Sequence, residues 1–129
     1  MGYYIATTID GDFDAALART EEALKAEGFG VLTRIDVQQT LKDKIGADVR
    51  PYTILGACNP TLAHEALQVE GHVGTMLPCN VVVQDAGDGR VEVAAIDPVA
   101  SMQAIENPRL KQAAESVRDK LQHVIAALD

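Results

Sequence analysis

The chain has no tryptophan, two cysteines and few aromatic side chains among its 129 residues. Its five aromatic residues are Tyr3, Tyr4, Phe13, Phe29 and Tyr52. With so few rings, the core has to be built from valine, leucine, isoleucine and alanine. The scarcity also argues against a base-stacking surface for single-stranded nucleic acid, because such surfaces combine exposed rings with basic residues.

Basic side chains are also scarce. Eleven lysines and arginines stand against nineteen acidic residues, giving a formal net charge of -8. Such a surface repels phosphate backbones and anionic lipid, so neither a nucleic acid nor a membrane is expected as a partner. No apolar run approaches the length of a membrane span, and no secretory signal is recognisable. We therefore expect one acidic, cytoplasmic domain over residues 1–129, with both thiols reduced.

Hydrophobic patterning and turn residues predict the element order β-α-β-α-β-α-β-β-α. Strands are expected at about 3–9, 29–35, 50–58, 76–84 and 90–96, and the last two form a hairpin around Ala86–Gly89. Asp12, Asp36 and Asn59 are expected to cap helices, with Asp36 and Gln39 resembling a capping box. The pairs Asp97-Pro98 and Asn107-Pro108 predict two further helix starts. This order is typical of an α+β sandwich, one sheet covered by helices.

The last helix has the clearest periodicity. Its apolar positions alternate spacings of four and three: Leu110, Ala114, Val117, Leu121, Val124 and Leu128. The stripe is too short for a sustained coiled-coil zipper, which favours a helix lying on the sheet. A dimer-forming seam is the alternative.

Each cysteine is followed by an asparagine, and each pair stands where an apolar strand-like run meets a break. The segments are Ala57-Cys58-Asn59-Pro60 and Leu77-Pro78-Cys79-Asn80. If the third and fourth strands are antiparallel neighbours, both thiols lie at one rim of the sheet. Asn59 has an ordinary explanation as a helix cap, whereas Asn80 has none.

Several roles for two close thiols remain open. A helix N-terminus favours a reactive thiolate, and the two amides could hydrogen-bond an oxyanion or a ligand carbonyl. Against these stands a structural role, because cysteine is often buried and Cys79 alternates in phase with Leu77, Val81 and Val83. A disulfide is disfavoured by a reducing compartment. Zinc is not expected, since His64 and His72 match no compact zinc motif.

Four segments together resemble the domain-of-unknown-function 302 family of small bacterial and archaeal proteins. They are Gly28–Leu32, Tyr52–Pro60, Leu77–Val83 and Ile96–Pro98, and the resemblance covers nearly the whole chain. It implies a TATA-binding-protein-like fold, a curved antiparallel sheet with a long helix across it, and a homodimer. It implies no established activity or cofactor, and a fold analogy does not carry DNA binding with it.

The leading hypothesis is a small-molecule or ion binding module. Its ligand-binding candidates are Cys58, Asn59, Pro78, Cys79 and Asn80. The alternatives are a thiol-dependent enzyme or redox protein that uses Cys58 or Cys79, and a purely structural or interaction dimer.

Overall fold

The structure is a computed structural model that describes residues 2–129. Its strands are β1 (Tyr4–Asp10), β2 (Gly30–Asp36), β3 (Tyr52–Cys58), β4 (Cys79–Gly87) and β5 (Arg90–Ile96). Its α-helices are α1 (Phe13–Ala26), α2 (Val37–Ile45), α3 (Pro60–Val69), α4 (Pro98–Ser101) and α5 (Pro108–Leu128), and a 3₁₀-helix spans Gly71–Met76. The predicted α+β class and element order are confirmed.

The predicted helix caps are all formed by side-chain oxygens that accept backbone N–H groups in the first turn. Asp12 accepts from Ala15 N at 3.2 Å, and Asn59 accepts from Leu62 N at 3.2 Å. Asp36 accepts from Gln39 N at 2.9 Å. The reciprocal half of the capping box is missing, because Gln39 Nε2 donates to Asp43 Oδ1 at 2.8 Å instead.

Prolines explain where two strands start later than the sequence predicts. The third strand begins at Tyr52, after Pro51, and the fourth at Cys79, after Pro78. Proline has no N–H to give to a sheet ladder, so pairing begins one residue beyond it.

The five strands form one antiparallel sheet in the order β1-β5-β4-β3-β2. The edges are therefore β1 and β2, and the predicted β4–β5 hairpin lies inside the sheet. The expected pairing of the third and fourth strands is present, with Ala57 directly opposite Cys79. A register shift between Val31 and Thr33 interrupts the ladder on β2.

One face of the sheet packs against α1 and α5, and the core between them is aliphatic, as expected. Its fully enclosed side chains include Leu24, Leu55, Val81, Val93 and Leu121. Of the predicted stripe on α5, only Val117 is partly exposed, and the others are buried. The stripe therefore packs within the chain and does not form a seam for a second copy.

No helix in the described part of the chain combines the length and the apolar character of a membrane-spanning segment.

Candidate functional site

The first Cys-Asn pair lies at the junction of β3 and α3. Asn59 ends the extended backbone and caps α3, with Pro60 in its first turn. A Cβ atom added to Gly28, which has a φ of +86°, would lie 3.2 Å from Asn59 Nδ2. Glycine thus lets the end of α1 lie close to the Asn59 amide at the junction of β3 and α3.

The second pair lies at the start of β4, beside the first. The Leu77–Pro78 peptide bond is cis, and the proline ring stands over Gly56 of β3. A Cβ added to Gly56 would lie 2.8 Å from Pro78 Cγ and would also collide with Thr33 Oγ1. Gly56 is therefore needed so that Pro78 can lie against the sheet at the point where the two cysteine segments meet.

These segments line a cavity of about 30 Å³ between the sheet rim and helices α3, α4 and α5, which we call the thiol cavity. Cys58, Asn59, Pro78 and Cys79 line it together. The remaining lining side chains are apolar and include Leu62, Ala66, Met102, Leu110 and Ala114. Four of the five candidates from the sequence thus come together around one small apolar space.

The two thiols differ in their surroundings. Both are unpaired, and Cys79 is buried whereas Cys58 is half-buried. Burial, with a smaller contribution from the neighbouring Cys58, raises the pKa of Cys79 from 9.0 to about 11. At neutral pH the Cys79 thiol therefore stays protonated, and a protonated thiol is a poor nucleophile.

Asn80 lies apart from the other four candidates. Its side chain is exposed on the opposite face of the sheet, because successive residues of a strand alternate between faces. There it lines a different, open depression together with Tyr52 and Glu92. The structure thus separates Asn80 from the thiols that precede it in the sequence.

The histidines do not join the thiols. His64 and His72 are exposed, and His123 Nδ1 lies 3.4 Å from Glu27 Oε1 at the C-terminal end of α1. Within residues 2–129, no three histidine, cysteine or acidic side chains are grouped to hold a metal ion.

Sequence reasoning missed the wall that α4 and α5 supply to the thiol cavity. Met102, Leu110 and Ala114 reach it from more than twenty residues beyond Cys79. Leu110 and Ala114 belong to the predicted apolar stripe, but that periodicity shows only that they are buried. Their neighbours depend on how the helix crosses the rim.

The comparisons with known proteins agree with this architecture. A crystal structure of an uncharacterised conserved DUF302 protein from Bacillus stearothermophilus superposes with a TM-score of 0.92 at 28% sequence identity, and the match covers 100% of both chains. No protein in the curated set matches the chain. The sequence model of the family described as "Domain of unknown function DUF302" matches residues 5–128. The chain therefore belongs to the DUF302 family.

Proposed function

We propose that this protein is a small binding module that holds its ligand in the thiol cavity. The observation that carries the proposal is the convergence of Cys58, Asn59, Pro78 and Cys79 on one space with otherwise apolar walls. Segments about twenty residues apart supply these side chains, and the pairing of β3 with β4 holds the two segments together.

The size and electrostatics of the cavity narrow the class of ligand. A volume of about 30 Å³ accommodates one or two groups of the size of water. The raised pKa of Cys79 indicates surroundings that disfavour charge. The carbonyl oxygen of Asn59 is already engaged by the α3 cap. These features favour an uncharged, weakly polar small molecule, or the end of one, over an ion.

Native mass spectrometry of the purified protein tests the proposal directly. We expect a small additional mass on the wild type that is absent from the Cys58→Ala/Cys79→Ala double variant. Asn80→Ala is the matched control, because it alters the same segment outside the cavity and should keep the mass. An additional mass that survives in the double variant would place the ligand elsewhere.

Xenon provides an independent probe, because it enters small apolar cavities. In NMR spectra under xenon pressure, the methyl groups of Ala66, Met102 and Leu110 should shift. Unchanged methyl signals there, together with the absence of any bound mass, would refute the binding module.

A thiol-dependent enzyme is the alternative, and Cys58 is then the better nucleophile because Cys79 is buried and protonated. Iodoacetamide labelling at neutral pH separates the two functions. The binding module predicts slow labelling of both thiols until the protein is denatured. Labelling of Cys58 much faster than that of a free thiol would favour the enzyme.

Two unpaired cysteines also fit a reducing compartment, which supports the cytoplasm as the location.

We further propose a homodimer formed through the β2 edge and α2. Leu32 and Ile45 expose 66% and 74% of their surfaces, and β2 is an edge strand with unpaired backbone groups. Sedimentation equilibrium should show a dimer that Ile45→Lys dissociates. Leu67→Lys, at a 47% exposed position on α3, is the control. A dimer unaffected by Ile45→Lys would contradict this interface.

A further inference from the structure

The face of the sheet away from α1 and α5 has an open depression of about 330 Å³ over β1, β5, β4 and β3. We call it the tyrosine depression. The side chains that line it beside its apolar floor are Tyr3, Tyr4, Tyr52, Asn80, Gln84 and Glu92.

All three tyrosines of the chain line this depression, whereas Phe29 is buried in the core and Phe13 packs against it. Tyr3 and Tyr4 expose 66% and 40% of their surfaces. Their rings meet edge to face, with centroids 5.1 Å apart at 68°. The Tyr3 carbonyl accepts from Asp97 N at 2.7 Å, which ties the aromatic pair to the end of β5. A chain with few rings thus exposes most of them at one place.

A chain of hydrogen bonds crosses the depression and orients a carboxylate. Arg50 Nε donates to Gln84 Oε1 at 2.9 Å, and Gln84 Nε2 donates to Glu92 Oε1 at 2.9 Å. The first bond fixes which end of the Gln84 amide faces Glu92. Glu92 is half-buried, and the hydrogen bond from Gln84 holds its carboxylate in the depression. The guanidinium at the far end of this chain does not line the depression.

The floor itself is small and apolar. Val82 and Ala94 face each other across β4 and β5, and the next position outward on β1 is Ala6. Tyr52 borders this row on one side, and Tyr4 borders it on the other. Small side chains between larger aromatic ones leave a shallow hollow in this face of the sheet.

We propose that the tyrosine depression binds a small organic cation, an amine or amidine on a flat apolar body. Among the residues that the structure describes, Glu92 is the one charged side chain lining it. Aromatic ring faces attract cations, and the exposed rings of Tyr3 and Tyr4 line the depression, whereas the Tyr52 ring already has Arg50 5.5 Å from its centroid. An amidinium can hydrogen-bond a carboxylate through two N–H groups. The net charge of -8 favours a cation over an anion.

Benzamidine is the probe, with uncharged benzamide and anionic benzoate as matched ligands of nearly the same shape. Titration followed by amide NMR should shift the side-chain amides of Asn80 and Gln84 with benzamidine. Benzamide should bind about tenfold more weakly, the change expected when a charge-assisted contact is lost. Benzoate should not bind.

Two variants localise the site. Glu92→Gln keeps the shape and should weaken benzamidine binding about tenfold. Glu65→Gln makes the same change of net charge on the exposed face of α3 and should leave the affinity unchanged. Tyr4→Leu should weaken binding by about threefold, because an exposed cation–π contact is modest.

Equal affinity for benzamidine and benzamide, or equal affinity of the Glu92→Gln and Glu65→Gln variants, would overturn the proposal. So would a dimer that buries this face: benzamidine would then fail to bind, and Tyr4→Leu would dissociate the dimer in sedimentation. Cys58→Ala/Cys79→Ala should bind benzamidine like the wild type. A failure of the thiol cavity and a failure of this site are therefore distinguishable.

Discussion

The buried thiol of Cys79 should make the protein less stable in alkaline solution. The unfolded chain releases the thiol proton near its ordinary pKa of 9.0, whereas the folded chain holds it to about 11. Between these values the folded state binds more protons than the unfolded state, so stability falls as pH rises. The stabilisation that comes from keeping the Cys79 thiol protonated is fully present below pH 9, and it is lost as pH rises through 11.

The size of the effect follows from the width of that window. A shift from 9.0 to about 11 corresponds to about 3 kcal/mol of unfolding free energy, at 1.36 kcal/mol for each pKa unit. This is a substantial part of the unfolding free energy of a typical domain, which is about 5–15 kcal/mol.

Urea unfolding at several pH values between 8 and 11 measures this loss. Alkaline pH changes the unfolding free energy in more than one way, so the informative quantity is the difference between the wild type and Cys79→Ala. The variant should lose less stability than the wild type over this range, whatever its stability at pH 8. Cys58→Ala removes the smaller cause of the raised pKa and should lie between the two. Parallel pH profiles for the wild type and Cys79→Ala would refute the burial argument.

Two further substitutions test the geometry around the thiol cavity. Gly56→Ala should lower the unfolding free energy by about 1–3 kcal/mol, because the added methyl would lie 2.8 Å from the Pro78 ring. Gly30→Ala, with nothing within 4 Å of the added atom, should change it by less than about 0.5 kcal/mol, and equal urea midpoints would contradict the close approach. Asn59→Ala should cost about 1 kcal/mol by removing the α3 cap, whereas Asn59→Asp should largely keep it. Thermal unfolding checks this pair, and an unperturbed Asn59→Ala would mean that the cap contributes nothing.

Local elements of this fold were predictable because their signals are local. An Asp or Asn oxygen three residues before an N–H is already within reach of it in the first helical turn, so the caps at Asp12, Asp36 and Asn59 follow from sequence spacing. The starts of β3 and β4 were predicted too early, since proline removes the hydrogen bond on which strand assignment depends. Gln39 bonded forward to Asp43 because both partners lie on the same helix face.

The candidate site was likewise predictable from the sequence only where its signals are local. That the two cysteine segments meet was predictable from strand order, because neighbouring antiparallel strands bring the end of one beside the start of the other. The separation of Asn80 from Cys79 also follows from strand alternation, because Cys79 is in phase with the buried Val81 and Val83 and Asn80 is not. The tyrosines gave no such signal. Tyr3 and Tyr52 are far apart in the chain and come to line one depression only through the order of the strands.

The sequence by itself determined the α+β class, the element order, the caps and the membership of the twin Cys-Asn segments in one family pattern. These depend on propensities and spacings that act within a few residues. The tertiary structure alone decided what surrounds each group: the burial that raises the pKa of Cys79, the wall that α4 and α5 supply to the thiol cavity, and the open face on which three tyrosines and Glu92 line one depression. Burial and charge act through space, and the distances that set them exist only once the chain has folded.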